Sequence, residues 1–299
     1  MKRGIVVACS LLVFMGHFAG VRPQRAVEDT PRKLWDTGLI GQRPKSPSGA
    51  APATRLTYVP AAGALPRSGA RGHPAILGVT LWRLRAATLA DDPETALEVR
   101  EAATGKLTKW TPERLVAETP LGSGDRVRIT IESPSSGFLY VVNREEFAAG
   151  RKGRPFLVFP TLRTHGGINS VTAGRLVEIP AQEDRPPYFT LRRSTPDQTG
   201  EALILLVTPK PLPGLNIGRE PLELTDAQLG DWERRWGAKV ERLELQGGSG
   251  RPWTRPEKAA GGDRSRLLTQ EEPAPQTLYV VDVPPGAPLL VTLPLRLAR

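Results

Sequence analysis

Cysteine is nearly absent from this chain. The one copy, Cys9, lies inside the apolar run of residues 5–14, IVVACSLLVF. A single thiol excludes a disulfide framework and a thiolate metal cage, and removing that run leaves no cysteine nucleophile. Histidine is almost as scarce, at His17, His73 and His165. Structural zinc takes four nitrogen or sulfur ligands and catalytic zinc usually three protein ligands, so this inventory argues against a zinc site. No Gly-x-Ser-x-Gly elbow exists for His165 to serve, and His165 reads as an exposed residue of a Gly-rich loop. The Gly-rich stretches lack the Gly-Lys-Ser/Thr of a phosphate loop and the dinucleotide fingerprint. No carboxylate spacing matches an EF-hand. The expectation is no cofactor and no metal.

Long hydrophobic runs are also missing. The run at 5–14 is too short for a bilayer, which takes about 20 residues. It follows Lys2 and Arg3 and precedes the small residues Ala19 and Gly20. That layout reads as a secretory signal peptide over residues 1–20. The expected location is therefore exported: periplasmic, cell-envelope or extracellular, with no transmembrane span after cleavage. Without disulfides, stability has to come from a core, and a chain of this length can build one.

What the chain does have is positive charge and β-pattern. Its formal charge is +10, which falls by two, to +8, once Lys2 and Arg3 leave. A basic balance suits acidic surfaces. No block of five or six basic residues and no aromatic-interleaved recognition motif appears, so sequence-specific nucleic-acid binding is not expected. Residues 42–74 are rich in Pro, Gly, Ala and Ser, and residues 21–74 read as a disordered linker. Two apolar islands in it, 34–35 and 56–59, are candidates for docking.

A single β-rich domain is expected over 75–299. Residues 76–84, ILGVTLWRL, read as a strand, and 98–110 as a hairpin around Thr104-Gly105. Thr111-Pro112 reads as the start of a helical turn. Residues 125–132 alternate, with Val127, Ile129 and Ile131 inward and Arg126, Arg128, Thr130 and Glu132 outward. Further strands are expected at 138–142, 155–159, 176–179, 188–191, 202–207 and 240–245. Residues 277–283 and 289–297 read as a hairpin closed by PPGAP. One helix is expected from Thr225, with Gln228 completing a capping box, Leu229, Trp232 and Trp236 on one face, and Gly237 at its end. Residues 246–263, with GGSGRPWTRPEK, read as a flexible insert. The sum is a mainly β fold: a β-sandwich or open barrel with one packed helix, after a disordered Pro/Gly-rich N-terminal segment.

Several ordered elements carry a resemblance. GDRVRITIESPSSGFLYVVNRE, FLVFPT, NSVTAGRLVEIPA and FTLRRSTPDQTGEALILLVTPKPL together resemble the bacterial domain-of-unknown-function family 4384. The shared pattern falls at 137–140, Phe159-Pro160, Asn169 with Gly174 and Ile179-Pro180, and Gly200-Glu201, within 125–212. The resemblance implies a secreted or envelope-associated module. It carries over no catalytic residue.

Candidate binding residues are Asn143, Arg144, Glu145, Glu146, His165 and Asn169. Glu145 and Glu146 are the adjacent carboxylates beside a buried strand, but neighbours in a strand face opposite ways and suit paired-acid chemistry poorly. Residues 143–154 read as the exposed loop of a hairpin. The leading expectation is a non-enzymatic exported bacterial β-domain that binds an envelope protein or glycan. The alternatives are a hydrolase built around Glu145/Glu146 and a purely structural envelope module.

Overall fold

The computed structural model describes residues 39–45, 56–61, 74–101 and 104–298. In chain order the strands are β1 (Tyr58–Pro60), β2 (Ala75–Ala86), β3 (Leu97–Arg100), β4 (Leu107–Leu115), β5 (Arg126–Glu132), β6 (Gly137–Phe147), β7 (Lys152–Phe159) and β8 (Ser170–Val171). They continue with β9 (Leu176–Ile179), β10 (Phe189–Thr190), β11 (Gln198–Thr208), β12 (Leu222–Glu223), β13 (Val240–Leu245), β14 (Thr277–Val281) and β15 (Leu289–Arg296). Two helices are described, α1 (Asp226–Trp236) and α2 (Arg255–Gly262). The strands form two antiparallel sheets, one of nine strands in which β2 is central, the other with the order β12-β7-β6-β11-β15 and β8 on β6.

The two sheets pack face to face. Leu77, Val79, Ile129 and Ile131 of the first meet Leu139, Val141, Leu205 and Val291 of the second in one cluster. This is the expected mainly β sandwich, because each strand buries its apolar alternate residues on the facing side. The outer face of the second sheet is also apolar, and α1 covers it: Leu229 packs on Tyr140, Val142 and Ile204, with Trp232 and Trp236 beside them. The capping box of Thr225 and Gln228 is formed. Gly237 follows the helix in an extended conformation rather than a left-handed one. A Cβ there would overlap the Glu233 carbonyl, so glycine is required by close approach.

Several expectations need correction. Thr111 to Arg114 lie in β4, paired with β2, because Arg114 and Leu115 are buried in the sheet. The segments at 277–283 and 289–297 are not a hairpin: β14 pairs with β2 and β13 in the first sheet, β15 with β11 in the second. The turn between them crosses from sheet to sheet. The insert 246–263 is an ordered cover. Trp253 is buried, its indole donates to the Thr95 carbonyl at 2.6 Å, and α2 follows behind a capping box of Thr254 and Glu257. Of the expected linker, residues 39–45 and 56–61 pack on the domain. Leu39 and Tyr58 sit in a cluster with Ile76 and Leu278, and β1 pairs with β13. The island at 56–59 docks; the island at 34–35, the signal segment 1–20 and the rest of the linker lie outside the described residues.

Candidate functional site

The outward residues of β5 face a second buried layer instead of solvent. Arg114, Trp82 and Arg128 lie abreast on β4, β2 and β5. Arg114 stacks over Trp82 at 5.2 Å and Arg128 over Trp253 at 5.3 Å, with the two indoles edge to face. Each arginine has a buried acid. Arg128 Nη2 donates to Glu178 Oε2 at 2.8 Å, and Arg114 pairs with Glu257 of α2. Arg43 of the N-terminal segment donates to both oxygens of Glu132, at 2.8 and 2.5 Å. Burial alone pushes the Glu178 carboxyl up and the Arg128 guanidinium down, and their contact opposes both. An arginine stays protonated in proteins, so the pair is ionic. This layer fastens α2, Trp253 and residues 39–45 to the sheet. Its charges are consumed internally.

The residues singled out in the sequence do not meet. Residues 143–147 are not a loop tip; they continue β6, hydrogen-bonded to both β7 and β11, and the turn comes at Ala148–Gly150. Arg144 points outward, donating to the Gly153 carbonyl at 2.9 Å and to Asp226 at the start of α1 at 2.5 Å. Asn143 and Glu145 point the other way, toward one end of the space between the sheets. Asn169 brackets Leu139 with two hydrogen bonds, a backbone one at 2.9 Å and an Nδ2 one at 3.0 Å. Leu139 precedes Glu145 by six strand residues, about 20 Å. His165 is buried, not exposed: its Nε2 lies 2.5 Å from the Glu178 carbonyl and its ring meets Phe159 edge-on. Burial and the nearby Arg264 hold its imidazole below the usual histidine range.

Glu145 does have a carboxylate neighbour, and it is Glu201 rather than Glu146. The two are directly opposite on β6 and β11, where Asn143 Nδ2 donates to Glu201 Oε2 at 2.8 Å. Burial, with the Glu145 charge adding to it, pushes the Glu201 carboxyl up against the opposing Asn143 hydrogen bond. Only strand register reveals this pair.

The residues of the family resemblance also have positional reasons. A Cβ on Gly137 would overlap the Thr208 carbonyl, and one on Gly200 the Leu295 carbonyl, so both need glycine where strands run close. Phe159 and Ile179 are fully buried in the core between the sheets.

A surface concavity that combines apolar floor and unpaired charge lies elsewhere. A groove of about 290 Å³ opens between residues 158–164, 180–189 and 219–221. Its buried and half-buried lining is Val158, Thr161, Thr164, Pro180, Tyr188 and Phe189, and its exposed edge carries Pro186, Pro221, Arg163, Arg185, Arg219 and Glu220. Arg163 pairs with Glu220 at 3.1 Å. Among the described residues Arg185 donates to the Gln182 and Asp184 carbonyls alone, while Asp184 turns its carboxylate to the backbone amides of His165 and Ala181. Arg219 has no hydrogen bond or ion pair among the described residues. Three separate loops build this groove, and no local pattern in the sequence announces it. Among the described residues no cluster of three or more His, Cys, Asp or Glu could hold a metal ion, and no helix is long and apolar enough to cross a membrane.

Comparison with protein-family models, with curated proteins and with solved structures gives no match.

Proposed function

We propose that the chain is an exported, non-enzymatic bacterial β-domain that binds a protein or glycan partner at the cell envelope. The observation that carries this reading is the groove: Arg185 and Arg219 present guanidinium groups that have no carboxylate partner among the described residues. Arg185 and Arg219 are exposed, as are Arg100, Arg192 and Arg251, which also lack an ion pair among the described residues; what sets the first two apart is their place beside an apolar concavity. Two unmatched arginines at the lip of an apolar concavity are the arrangement of a binding surface. The overall basic charge adds long-range steering toward anionic surfaces.

The resemblance to family 4384 belongs to this reading and rests on its sequence elements alone. The hydrolase alternative is built around Glu145/Glu146, and the other candidate polar residues, His165 and Asn169, are engaged away from them, with the Glu178 carbonyl and with Leu139. Cell fractionation with N-terminal sequencing tests the proposal, followed by co-sedimentation of the exported form with purified envelope. The reading expects a new N-terminus near residues 19–20 and sedimentation that survives in part at molar salt. Retention in the cytoplasm, or loss of all sedimentation at high salt, contradicts it, since the latter marks screened adhesion only.

A further inference from the structure

Resting on that reading, we propose that the groove receives an acidic peptide segment of the partner: an apolar side chain on the floor and flanking carboxylates on Arg185 and Arg219. Three observations on the groove argue for this chemistry. Its charges do not balance, since Arg163, Arg185 and Arg219 face the single carboxylate of Glu220, which Arg163 already holds. An anionic ligand is therefore complementary, and guanidinium forks take carboxylates in two parallel hydrogen bonds. The lining is mainly proline, phenylalanine, tyrosine and valine, and the hydroxyls of its two threonines, Thr161 and Thr164, already bond each other at 2.9 Å, which leaves few groups free to receive the hydroxyls of a sugar. Burying a hydroxyl without a partner is costly, so an apolar side chain fits this floor better than a glycan does. Exposed apolar side chains also follow the groove residues closely in sequence. Leu162, next to Arg163, is 54% exposed and Ile168 is 61% exposed. Leu162 is anchored there by its amide, which donates to the Gly218 carbonyl at 2.7 Å. A ligand that alternates apolar and acidic side chains matches both features.

The protein's own Pro-rich segment is the wrong occupant. Residues 42–74 carry Arg43, Lys45, Arg55, Arg67 and Arg71 and no acidic residue, so the rim repels them.

The test is fluorescence polarisation with a fluorescein-labelled octapeptide of alternating glutamate and leucine. Controls are the same peptide with glutamine for glutamate, and with serine for leucine. The wild-type protein is compared with Arg185→Ser/Arg219→Ser, whose side chains are exposed and whose urea midpoint should be unchanged. The inference expects saturable binding of the glutamate–leucine peptide. It expects at least about tenfold weaker binding for the double variant and for each control peptide, the effect of removing charge-assisted hydrogen bonds or apolar burial. Equal binding by the variant, or equal binding of the glutamine peptide, overturns it. Trigalacturonate is titrated in parallel; if it binds through the same arginines and the peptide does not, the peptide class is wrong while an envelope ligand stands. If neither probe binds yet the exported protein still sediments with envelope, the groove assignment falls alone. If sedimentation is also lost, the envelope reading falls with it.

Discussion

Breaking the Arg128–Glu178 pair with Glu178→Met should be among the most damaging single changes in the domain. Both side chains are essentially sealed, at 0% and 1% exposure. The substitution leaves the Arg128 guanidinium in the protein interior with the Pro180 carbonyl as its remaining acceptor, at 3.0 Å. An uncompensated buried charge of this kind costs about 3–5 kcal/mol. Against a total stability of about 5–15 kcal/mol, that is a large fraction. Methionine keeps the unbranched shape that Gly261 of α2 accommodates, since a Cβ on Gly261 would overlap the Glu178 carboxylate. The pair itself is imperfect: Nε and Nη1 of Arg128 and Oε1 of Glu178 are buried without partners. Removing both charges in Arg128→Met/Glu178→Met should therefore recover most of the loss, ending within about 1 kcal/mol of wild type or above it. Urea unfolding of these three proteins together with the Arg128→Met single variant at neutral pH measures the cycle. A Glu178→Met cost under about 1 kcal/mol, or a double variant as unstable as the single, would refute the reasoning.

Three further changes probe other parts of the account. Trp253→Ala empties the contact with Trp82 and Arg128 and should cost about 3–5 kcal/mol in the same urea assay; a cost near zero would mean that residues 246–263 do not cover the sheet. Arg43→Met leaves Glu132 buried without its bidentate partner and should loosen residues 39–45, read by limited proteolysis as faster cleavage at residues 43–45; an unchanged digest contradicts the docking. Glu201 has its folded pKa raised above the ordinary 4.5 by burial and by Glu145. Its stabilising contribution is therefore complete below pH 4.5 and is lost as pH rises through the folded value. Glu201→Gln should match wild type near pH 4 and gain on it progressively toward pH 7; parallel stability curves would contradict the shift.

The inward half of the sandwich was readable because each strand states its own alternation. Val127, Ile129 and Ile131 face the core as their spacing predicts, and Thr225 with Gln228 caps α1 as their spacing predicts. The outer layer was not readable in the same way. Whether Arg128 meets water depends on Trp253, which lies more than a hundred residues away in sequence, and strand periodicity carries no information on such a cover. One signal was present within the supposed insert: Thr254, Pro256 and Glu257 form a helix start with its capping box, but surrounding glycines made the stretch read as a flexible insert. The candidate site suffered most. Asn143 to Glu146 read as a loop because charge interrupts an apolar run, yet β7 and β11 pair with them on both sides and keep them in strand. Arg185 and Arg219 become notable only when three loops are brought together.

The central claim is that the unmatched arginines of the groove hold the partner. Quantitative co-sedimentation of the exported form with purified envelope, wild type against Arg185→Ser/Arg219→Ser, tests it most directly. The account predicts saturable binding at physiological salt that weakens about tenfold or more in the variant while the urea midpoint stays unchanged. Equal binding curves for the two folded proteins would contradict it.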